Sequence, residues 1–531
     1  MSTTTISSLS TTDLQSLSST QVGAITAAGI GALTATEATA FQSTQIKGLS
    51  AAQLPSFSNV LSFNGTQLQA FSVSQISDLT TTQVTGLNTT QFGALAATAV
   101  GGLSVSDLNA LTTTQLKAIT TTQVAGLTAT DVAGLNTTQV GVLTSTQLSS
   151  FTAAQTAALS TTDINNFTTT QQTALGATQV KGLTATQLGG LTTTVVDGFN
   201  TTQLGALSAS QIGALTTTDL NDFNTTQVQG LTAAQLGGIT STQVAALTTT
   251  TIDNLTTTQV GQLSTAQVAA INTTNLNSLA TTQVQALSAA QVKGISTTQA
   301  AGLNTTAVGD LTTTQVAALS SAQVGALTST NVSGLAATQL NALTATAVQG
   351  LTSTDLVALT TTQVKGLSTT QVGGLTTSQV AGLNATAAGV LTSTQVGVFT
   401  AGQVGALSTT NLNGFNTTQL NALGATQLKG LTTTQSAALT TTTVDGLTST
   451  QFSELFSTQV GALSTTVIAA LTTTDLTALA ATQVPGLTST QVSNITSTNF
   501  GNLTSTQLDA FTTTQVQGFS SAQVTTYLAN G

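Results

Sequence analysis

The chain has 531 residues, of which 4% are charged and 3% aromatic, and its formal net charge is −10. It contains no His, Cys or Trp, and all six basic residues are Lys. Without imidazole or thiolate groups, the usual acid–base, zinc, haem and iron–sulfur chemistries lack their side chains. We therefore expect neither an enzyme nor a bound cofactor, and no disulfide framework.

The same composition restricts the partners. An acidic chain offers no basic patch for phosphates, and so few aromatic side chains form no stacking platform for bases, so we expect no nucleic-acid partner. Apolar runs stay well short of the roughly 18 residues that a membrane span needs. The N-terminal segment Met1-Ser-Thr-Thr-Thr-Ile6 has neither the positive nor the apolar region of a cleaved signal peptide.

A period of eight residues organises nearly the whole chain. Seven octads fill residues 1–56, a six-residue unit at 57–62 shifts the phase, 58 octads fill residues 63–526, and residues 527–531 form a tail. The consensus reads Leu, then Thr/Ser/Asn, then two of Thr/Ala/Ser, then Gln or Asp, then Val/Leu/Ile, a free position, and Gly or Ala. Ile119-Thr-Thr-Thr-Gln-Val-Ala-Gly126 is typical.

Charge follows the octad, whose positions we number 1 to 8. Positions 1 and 6 never carry charge, which predicts that they form the buried pair. Acids occupy positions 5, 7 and 8, while Lys occurs at position 7 alone, so position 7 is predicted to face water. The lysines are Lys47, Lys117, Lys181, Lys293, Lys365 and Lys429.

Position 2 has the residues that cap helix N-termini, and Gln or Asp three residues later completes a capping box. Leu at position 1 and Val at position 6 then form a hydrophobic staple. Gly at position 8 suits a C-terminal stop and also a close approach between successive coils. We predict a repeat solenoid that is all-α, with one very short capped helix per octad.

A β-solenoid is the alternative, because Thr and Val favour strands. Positions 1 and 6 have opposite parity, however, and cannot share one face of a single strand. Pro55 and Pro485, both at position 7, argue the other way, because Pro removes a helical hydrogen bond.

Few residues qualify as candidate sites. Asp219 and Asp222, at i and i+3, could serve acid–base work or hold calcium, but acids recur at these octad positions and a solvated face is the simpler interpretation. The abundant Ser and Thr lack a general base, and the six Lys lie scattered on the predicted surface. We assign no catalytic, cofactor-binding or metal-binding residue.

Departures from the consensus are interpreted structurally before functionally. The segment Gln451-Phe-Ser-Glu-Leu-Phe456 is either a docking spot or neutral variation. The unit at 57–62 and the polar position-6 residues Thr156, Gln172 and Ser436 indicate bends or weak spots. Asn-Thr-Thr triplets match the N-glycosylation acceptor but also arise whenever Asn caps a helix before Thr.

The octad, with its Leu-Thr-Thr-Thr-Gln-Val core, acidic Cys-free composition and missing N-terminal signal, resembles low-complexity repeat regions of bacterial secreted surface proteins. The resemblance is compositional and carries over no functional residues. It implies a structural protein outside the cell or on its surface, exported without a cleaved N-terminal signal, in a filament, surface layer or biofilm matrix. A cytoplasmic location is the alternative.

The predicted partner is a second copy of the chain. The first octad and the last, Phe519–Thr526, both keep the buried pair of positions, so head-to-tail stacking into filaments is expected. A surface glycan or another matrix component is a further possible partner. The alternative functions are an adhesin stalk and an ice-binding or ligand-binding solenoid. Ice binding requires the flat Thr array of a β-solenoid.

Overall fold

The computed structural model describes residue 6 and residues 8–530 of the chain. This described part forms short helices and contains no strand. The predicted all-α solenoid is therefore confirmed, and the β-solenoid alternative is not supported. The chain divides into two compact units, Met1–Leu263 and Ser264–Gly531.

Helix bounds follow the octad closely. Each α-helix with described bounds begins at position 3, and all but the last have four to six residues. In the first unit the α-helices are Thr11–Ser16, Ser19–Gly23, Ala27–Gly31, Ala35–Ala40, Ser43–Ile46, Gly65–Gln69, Val73–Ser77, Thr81–Gly86, Thr89–Ala94, Ala97–Val100, Val105–Ala110, Thr113–Ala118, Thr121–Gly126, Ala129–Gly134, Thr137–Val142, Ser145–Leu148, Ala153–Ala158, Thr161–Asn165, Thr169–Ala174, Ala177–Gly182, Ala185–Gly189, Thr193–Asp197, Thr201–Ala206, Ala209–Ile212, Thr217–Asp222, Thr225–Gly230, Ala233–Gly238, Ser241–Ala245, Thr249–Asp253 and Thr257–Gln262.

The second unit continues the same series. Its last helix, of ten residues, is the longest. The α-helices are Thr265–Ala270, Thr273–Ser278, Thr281–Ala286, Ala289–Lys293, Thr297–Gly302, Thr305–Gly309, Thr313–Ala317, Ser321–Ala326, Ser329–Gly334, Ala337–Ala342, Ala345–Val348, Ser353–Ala358, Thr361–Gly366, Thr369–Gly374, Thr377–Ala381, Ala385–Gly389, Ser393–Val396, Ala401–Ala406, Thr409–Asn413, Thr417–Asn421, Ala425–Leu428, Thr433–Ala438, Thr441–Asp445, Ser449–Ser453, Ser457–Ala462, Thr465–Ala470, Thr473–Ala478, Ser489–Ser493, Ser497–Phe500, Ser505–Asp509, Thr513–Val516 and Ser521–Asn530.

Most of these helices start at a capping box, as predicted. In the helix Thr121–Gly126, the Thr120 hydroxyl accepts a hydrogen bond from the Gln123 N–H at 3.2 Å. The Gln123 Oε1 accepts one from the Thr120 N–H at 2.9 Å. Two backbone donors that a helix N-terminus leaves unpaired are thus satisfied within one octad.

Helices end because position 1 turns to extended backbone. Leu127, after the helix Thr121–Gly126, has φ −64° and ψ 144°. Many helices end at the Gly of position 8, as in Thr121–Gly126, but no glycine of the described part has a positive φ, so the stop does not use the left-handed conformation. The close-approach role of this Gly is confirmed, since a Cβ on Gly126 would lie 2.0 Å from the Ala97 carbonyl oxygen.

Successive octads wind into coils. In the first unit, the helix Ala153–Ala158 contacts Ala177–Gly182 three octads later, whereas Thr217–Asp222 contacts Thr249–Asp253 four octads later. The second unit shows both spacings, with contacts three octads apart the more common. Each coil therefore holds between three and four octads.

The side chains at positions 1 and 6 line the inside of the coils. With few exceptions they are buried, and Leu and Val dominate them, which confirms the predicted pair. The six Lys side chains at position 7 are exposed, as predicted.

The two prolines fit because their octads form 3-10 turns, Leu54–Ser56 and Val484–Gly486. In the second of these turns, the N–H groups of Gly486 and Leu487 bond to the Gln483 and Val484 carbonyls. Neither of those bonds needs an N–H at position 7, where Pro485 lies.

The six-residue unit at 57–62 stays within the stack. Its 3-10 helix, Ser58–Ser62, buries Val60, and the Asn59 side-chain amide donates to the Leu33 carbonyl. An aromatic row fills the space around it, with ring centroids 6.3 Å apart for Phe41 and Phe57 and 5.2 Å apart for Phe57 and Phe63. The shift in octad phase is absorbed without losing the core.

Candidate functional site: the polar bridges between coils

The Gln at position 5 does more than cap its own helix. Gln123 is 2% exposed, and its Nε2 donates to the Phe92 carbonyl at 2.9 Å and the Leu95 carbonyl at 2.8 Å. Both carbonyls lie at the C-terminal end of the helix Thr89–Ala94 in the preceding coil. One side chain therefore joins the N-terminus of its own helix to two C-terminal carbonyls of another.

The second unit repeats this glutamine bridge. Gln371 Oε1 accepts the Ser368 N–H at 2.8 Å, while its Nε2 donates to the Leu340 and Leu343 carbonyls, each at 2.8 Å. The two acceptors lie 31 and 28 residues earlier in the chain. A separation of 28 residues is 28/8, or about three and a half octads, in agreement with the helix contacts.

The bridge requires one acceptor for the capping N–H and two donors for the carbonyls of the preceding coil. Only an amide on a side chain as long as Gln provides all three. Where Asn stands at position 5, as at Asn411, the amide reaches a single carbonyl, that of Leu383, at 2.7 Å. Where Asp stands there, no donor remains. The outer oxygen of Asp107 instead accepts the Thr81 hydroxyl at 2.7 Å, 26 residues earlier.

Some coils are joined by a bridge that runs the other way. Asn221, at position 7, donates from Nδ2 to the Ala246 carbonyl of the following coil at 3.0 Å. Its Oδ1 accepts the Thr248 N–H at 2.8 Å and the Thr251 hydroxyl at 3.1 Å. Thr251 occupies position 5 of that later octad, so Asn221 performs the capping that Gln would have provided.

We call this arrangement the reversed bridge. In each case the receiving octad has lost its Gln at position 5 and carries Val, Thr or Ala there. The pairs of bridging Asn and receiving position-5 residue are Asn165 with Val195, Asn221 with Thr251, Asn277 with Ala307, and Asn413 with Thr443.

Sequence reasoning found the capping half of the glutamine bridge and missed the half that spans coils. The reversed bridges were also missed, although a sequence signal exists. Each bridging Asn stands two residues after an Asp or Asn at position 5, as in Asp219-Leu-Asn221. Asn341 and Asn421, which follow Gln, lack this context.

The solvated-face interpretation of the Asp219 and Asp222 pair is wrong for Asp219. Its side chain is 1% exposed and caps its own helix by accepting the Thr216 N–H at 2.9 Å and hydroxyl at 2.7 Å. Asp222 is exposed. Partial burial, then the charges of Asp222 and Asp219, raise the pKa of the nearby Asp197 carboxyl.

In the segment around Phe456, a lysine, a carboxylate and an aromatic ring lie close together on the surface. The Lys429 Nζ lies 3.0 Å from a Glu454 carboxylate oxygen and 5.8 Å from the centre of the Phe456 ring. Phe456 is 51% exposed and replaces the usual capping residue, so its helix lacks the side-chain cap bond. Such exposed ion pairs contribute little stability.

The polar residues at position 6 are all buried, but their bonding differs. The Thr156 hydroxyl donates to the Thr152 carbonyl at 3.1 Å. The Ser436 hydroxyl, buried to 1% exposure, has no hydrogen-bond partner. Gln172 is also buried, at 7% exposure. Ser436 is thus the clearest weak spot of the three.

The cavity lined by Phe223, Val228 and Ile252 is too small for a ligand. This apolar cavity has a volume of about 20 Å³, close to the space of a single water molecule.

In residues 6 and 8–530, no three His, Cys, Asp or Glu side chains gather as a metal site requires. None of the described helices combines the length and the apolar character needed to cross a bilayer.

Comparison with known families agrees with the repeat. Four segments, residues 100–137, 216–249, 301–329 and 348–385, match the ALTTAQ repeat family. No curated protein matches the chain. The chain is therefore a repeat protein whose octads are similar to ALTTAQ repeats.

Proposed function

We propose that the chain is a structural repeat protein of the cell surface or the extracellular space, which self-assembles into a filament, surface layer or matrix. The observation that carries the proposal is the glutamine bridge. Each coil presents amide donors on one side and helix C-terminal carbonyls on the other. A coil of one copy can therefore meet a coil of a second copy with the contact that joins coils within the chain.

Such a contact is head-to-tail, because the donor and acceptor sides differ. Heterologous contacts of this kind do not close on themselves and generate filaments. The low charge of the chain adds little repulsion between copies. The absence of His and Cys from the sequence supports a structural role over an enzymatic one.

The alternatives differ in how well the helical fold suits them. An adhesin stalk would use the same stacked coils as a spacer, with a surface glycan or matrix component bound elsewhere. The helical fold lacks the flat Thr array on which the ice-binding alternative depends, because the exposed Thr side chains of positions 3 and 4 lie on the first turns of short helices.

Light scattering and negative-stain microscopy over rising protein concentration test self-assembly. We expect filaments of one width whose length grows with concentration. Two variants at exposed residues of the terminal coils, Gln21→Glu and Val524→Asp, should shift assembly to higher concentration. Gln21→Glu keeps the oxygen that caps Ser18 and removes only the amide donors. Particles that stay monomeric at every concentration would refute the proposal.

A further inference from the structure

The position-5 residues contain a longer period than the octad. Between residues 63 and 526, Gln fills 40 of the 58 position-5 sites. Yet eight sites spaced seven octads apart all lack Gln. They are Asp107, Asp163, Asp219, Asn275, Asn331, Ala387, Thr443 and Asn499.

The period of seven octads has a structural counterpart. The glutamine bridges place each octad over the chain 28 residues earlier, which is three and a half octads, so seven octads correspond to two coils. Because a coil holds three and a half octads, two octads occupy the same place in the cross-section only when they lie two coils apart. These eight of the 18 sites without Gln therefore recur at one place in every second coil of each unit.

Three of the four reversed bridges, those of Asn165, Asn221 and Asn277, follow the same period, whereas Asn413 stands 17 octads after Asn277 and departs from it. Asn109, Asn165, Asn221 and Asn277 stand seven octads apart, and each donates to a carbonyl 25 residues later, that of Gly134, Gly190, Ala246 and Gly302. Val195, Thr251 and Ala307, in the octads that Asn165, Asn221 and Asn277 reach, are again seven octads apart, whereas the octad that Asn109 reaches keeps Gln139, which itself caps Asn136.

Glycines at position 8 mark a second place in the cross-section. Gly126, Gly182, Gly238, Gly294 and Gly350 stand seven octads apart. A Cβ on Gly126 or Gly238 would lie 2.0 Å from a carbonyl oxygen of the preceding coil, and one on Gly350 would lie 1.9 Å from it. At these three glycines the backbones touch, and a larger residue would push the coils apart, whereas at Gly294 the nearest atom of the preceding coil is the Thr265 Cβ at 3.4 Å.

We infer that the structural repeat between residues 103 and 350 is the two-coil block of seven octads, and that every octad of this stretch belongs to one of seven slots. The slots are not interchangeable. An octad with Gln at position 5 placed after Asn165, Asn221 or Asn277 would bring two amides to one N–H. An octad without Gln placed elsewhere would leave its capping N–H without a side-chain acceptor and two carbonyls without their amide donor. Ala in place of Gly126, Gly238 or Gly350 would collide with the backbone of the preceding coil.

Deletions of whole octads test this inference. The octad period alone predicts that any such deletion is tolerated and that stability falls with the number of octads removed. The two-coil block predicts otherwise. Removing the seven octads Leu111–Asn166 puts Asn109 in the slot of Asn165, facing Gly190 and Thr192, and preserves every slot downstream. Removing six octads, Leu111–Ala158, or eight octads, Leu111–Ala174, places Asn109 in a different slot, so the octads before and after the deletion no longer match.

We expect the seven-octad deletion to melt at least about 4 °C above both neighbours, although one of them retains more chain. Asn109→Ala in the seven-octad deletion and Asn165→Ala in the full chain should lower the melting temperature by similar amounts. The same substitution in the six-octad deletion should have no such effect, which keeps the comparison informative if that variant is only partly folded. A melting temperature that falls steadily from the six-octad to the eight-octad deletion would overturn the inference.

Discussion

The octads Ile119–Gly126 and Leu247–Asn254 have nearly the same backbone and opposite polar connections. Their capping residues, Thr120 and Thr248, have φ −70° with ψ 158° and φ −75° with ψ 159°. Gln123 reaches back to the preceding coil, whereas Asn221 of the preceding coil reaches forward to Thr248. The comparison teaches that the octad fixes the local helix, while position 5 decides how neighbouring coils are joined.

The largest effect should come from the apolar pair that both kinds of octad share. Leu263→Asp places a charge at a position that is 6% exposed, and we expect a loss of about 3–5 kcal/mol in the free energy of unfolding. Ala269→Asp, at exposed position 7 of the same octad, should change it little. Chemical denaturation measures both, and equal losses would contradict the assignment of faces.

The next largest effect should separate the two roles of Gln. Gln123→Glu keeps the oxygen that caps Thr120 but turns a carboxylate toward the Phe92 and Leu95 carbonyls. We expect a loss of about 3 kcal/mol near neutral pH. This burial raises the pKa of the new carboxyl in the folded chain, so the loss should shrink as pH falls and the group protonates.

Gln21→Glu is the matched control, because the Gln21 side chain is exposed and its replacement should cost little. Denaturation curves at several pH values compare the two variants. If they lost the same stability, Gln123 would act only as a cap.

A double-mutant cycle should show that the two bridges replace each other. Asn221→Ala leaves the Thr248 N–H without its side-chain acceptor, and we expect a loss of about 1 kcal/mol. Thr251→Gln adds an amide that competes with Asn221 and should also destabilise. The double variant rebuilds a glutamine bridge toward the Leu220 and Phe223 carbonyls, so its stability should return close to that of the parent. Additive losses would contradict the exchange.

The sequence predicts those features that depend on neighbours within one octad. Capping boxes, the apolar pair and exposed Lys are all settled within a single octad, because helix capping and amphipathic patterning are local. The coil-spanning half of Gln123 depends on carbonyls 28 and 31 residues away, whose position follows from the turn angle between octads. Nothing in one octad encodes that angle, so neither the number of octads per coil nor the burial of Asp219 could be derived. The seven-octad spacing from Asp107 onward was the signal that could have revealed both.

Ser436→Val should stabilise the chain, since it removes a buried hydroxyl without a partner and restores the common residue of position 6. We expect a gain of about 1 kcal/mol. Thr156→Val is the matched control, because that hydroxyl already donates to the Thr152 carbonyl and its removal should gain less. Thermal unfolding compares the pair, and an equal response would show that the missing partner of Ser436 has no energetic consequence.

The smallest effect concerns the carboxylates near the reversed bridge of Asn221. The pKa of Asp197 is raised in the folded chain by partial burial and by the negative charges of Asp222 and Asp219. An acid whose pKa is higher in the folded than in the unfolded state loses stability as pH rises from its ordinary value of 3.8 through the folded pKa. Asp197→Asn should therefore stabilise the chain at pH 7, by a few tenths of a kcal/mol at this exposed position, and should have no effect at pH 3. In an Asp222→Asn background the gain should shrink, because one of the two repelling charges is already gone. Urea denaturation at both pH values measures the four variants, and a gain of the same size at pH 3 would show that charge is not its cause.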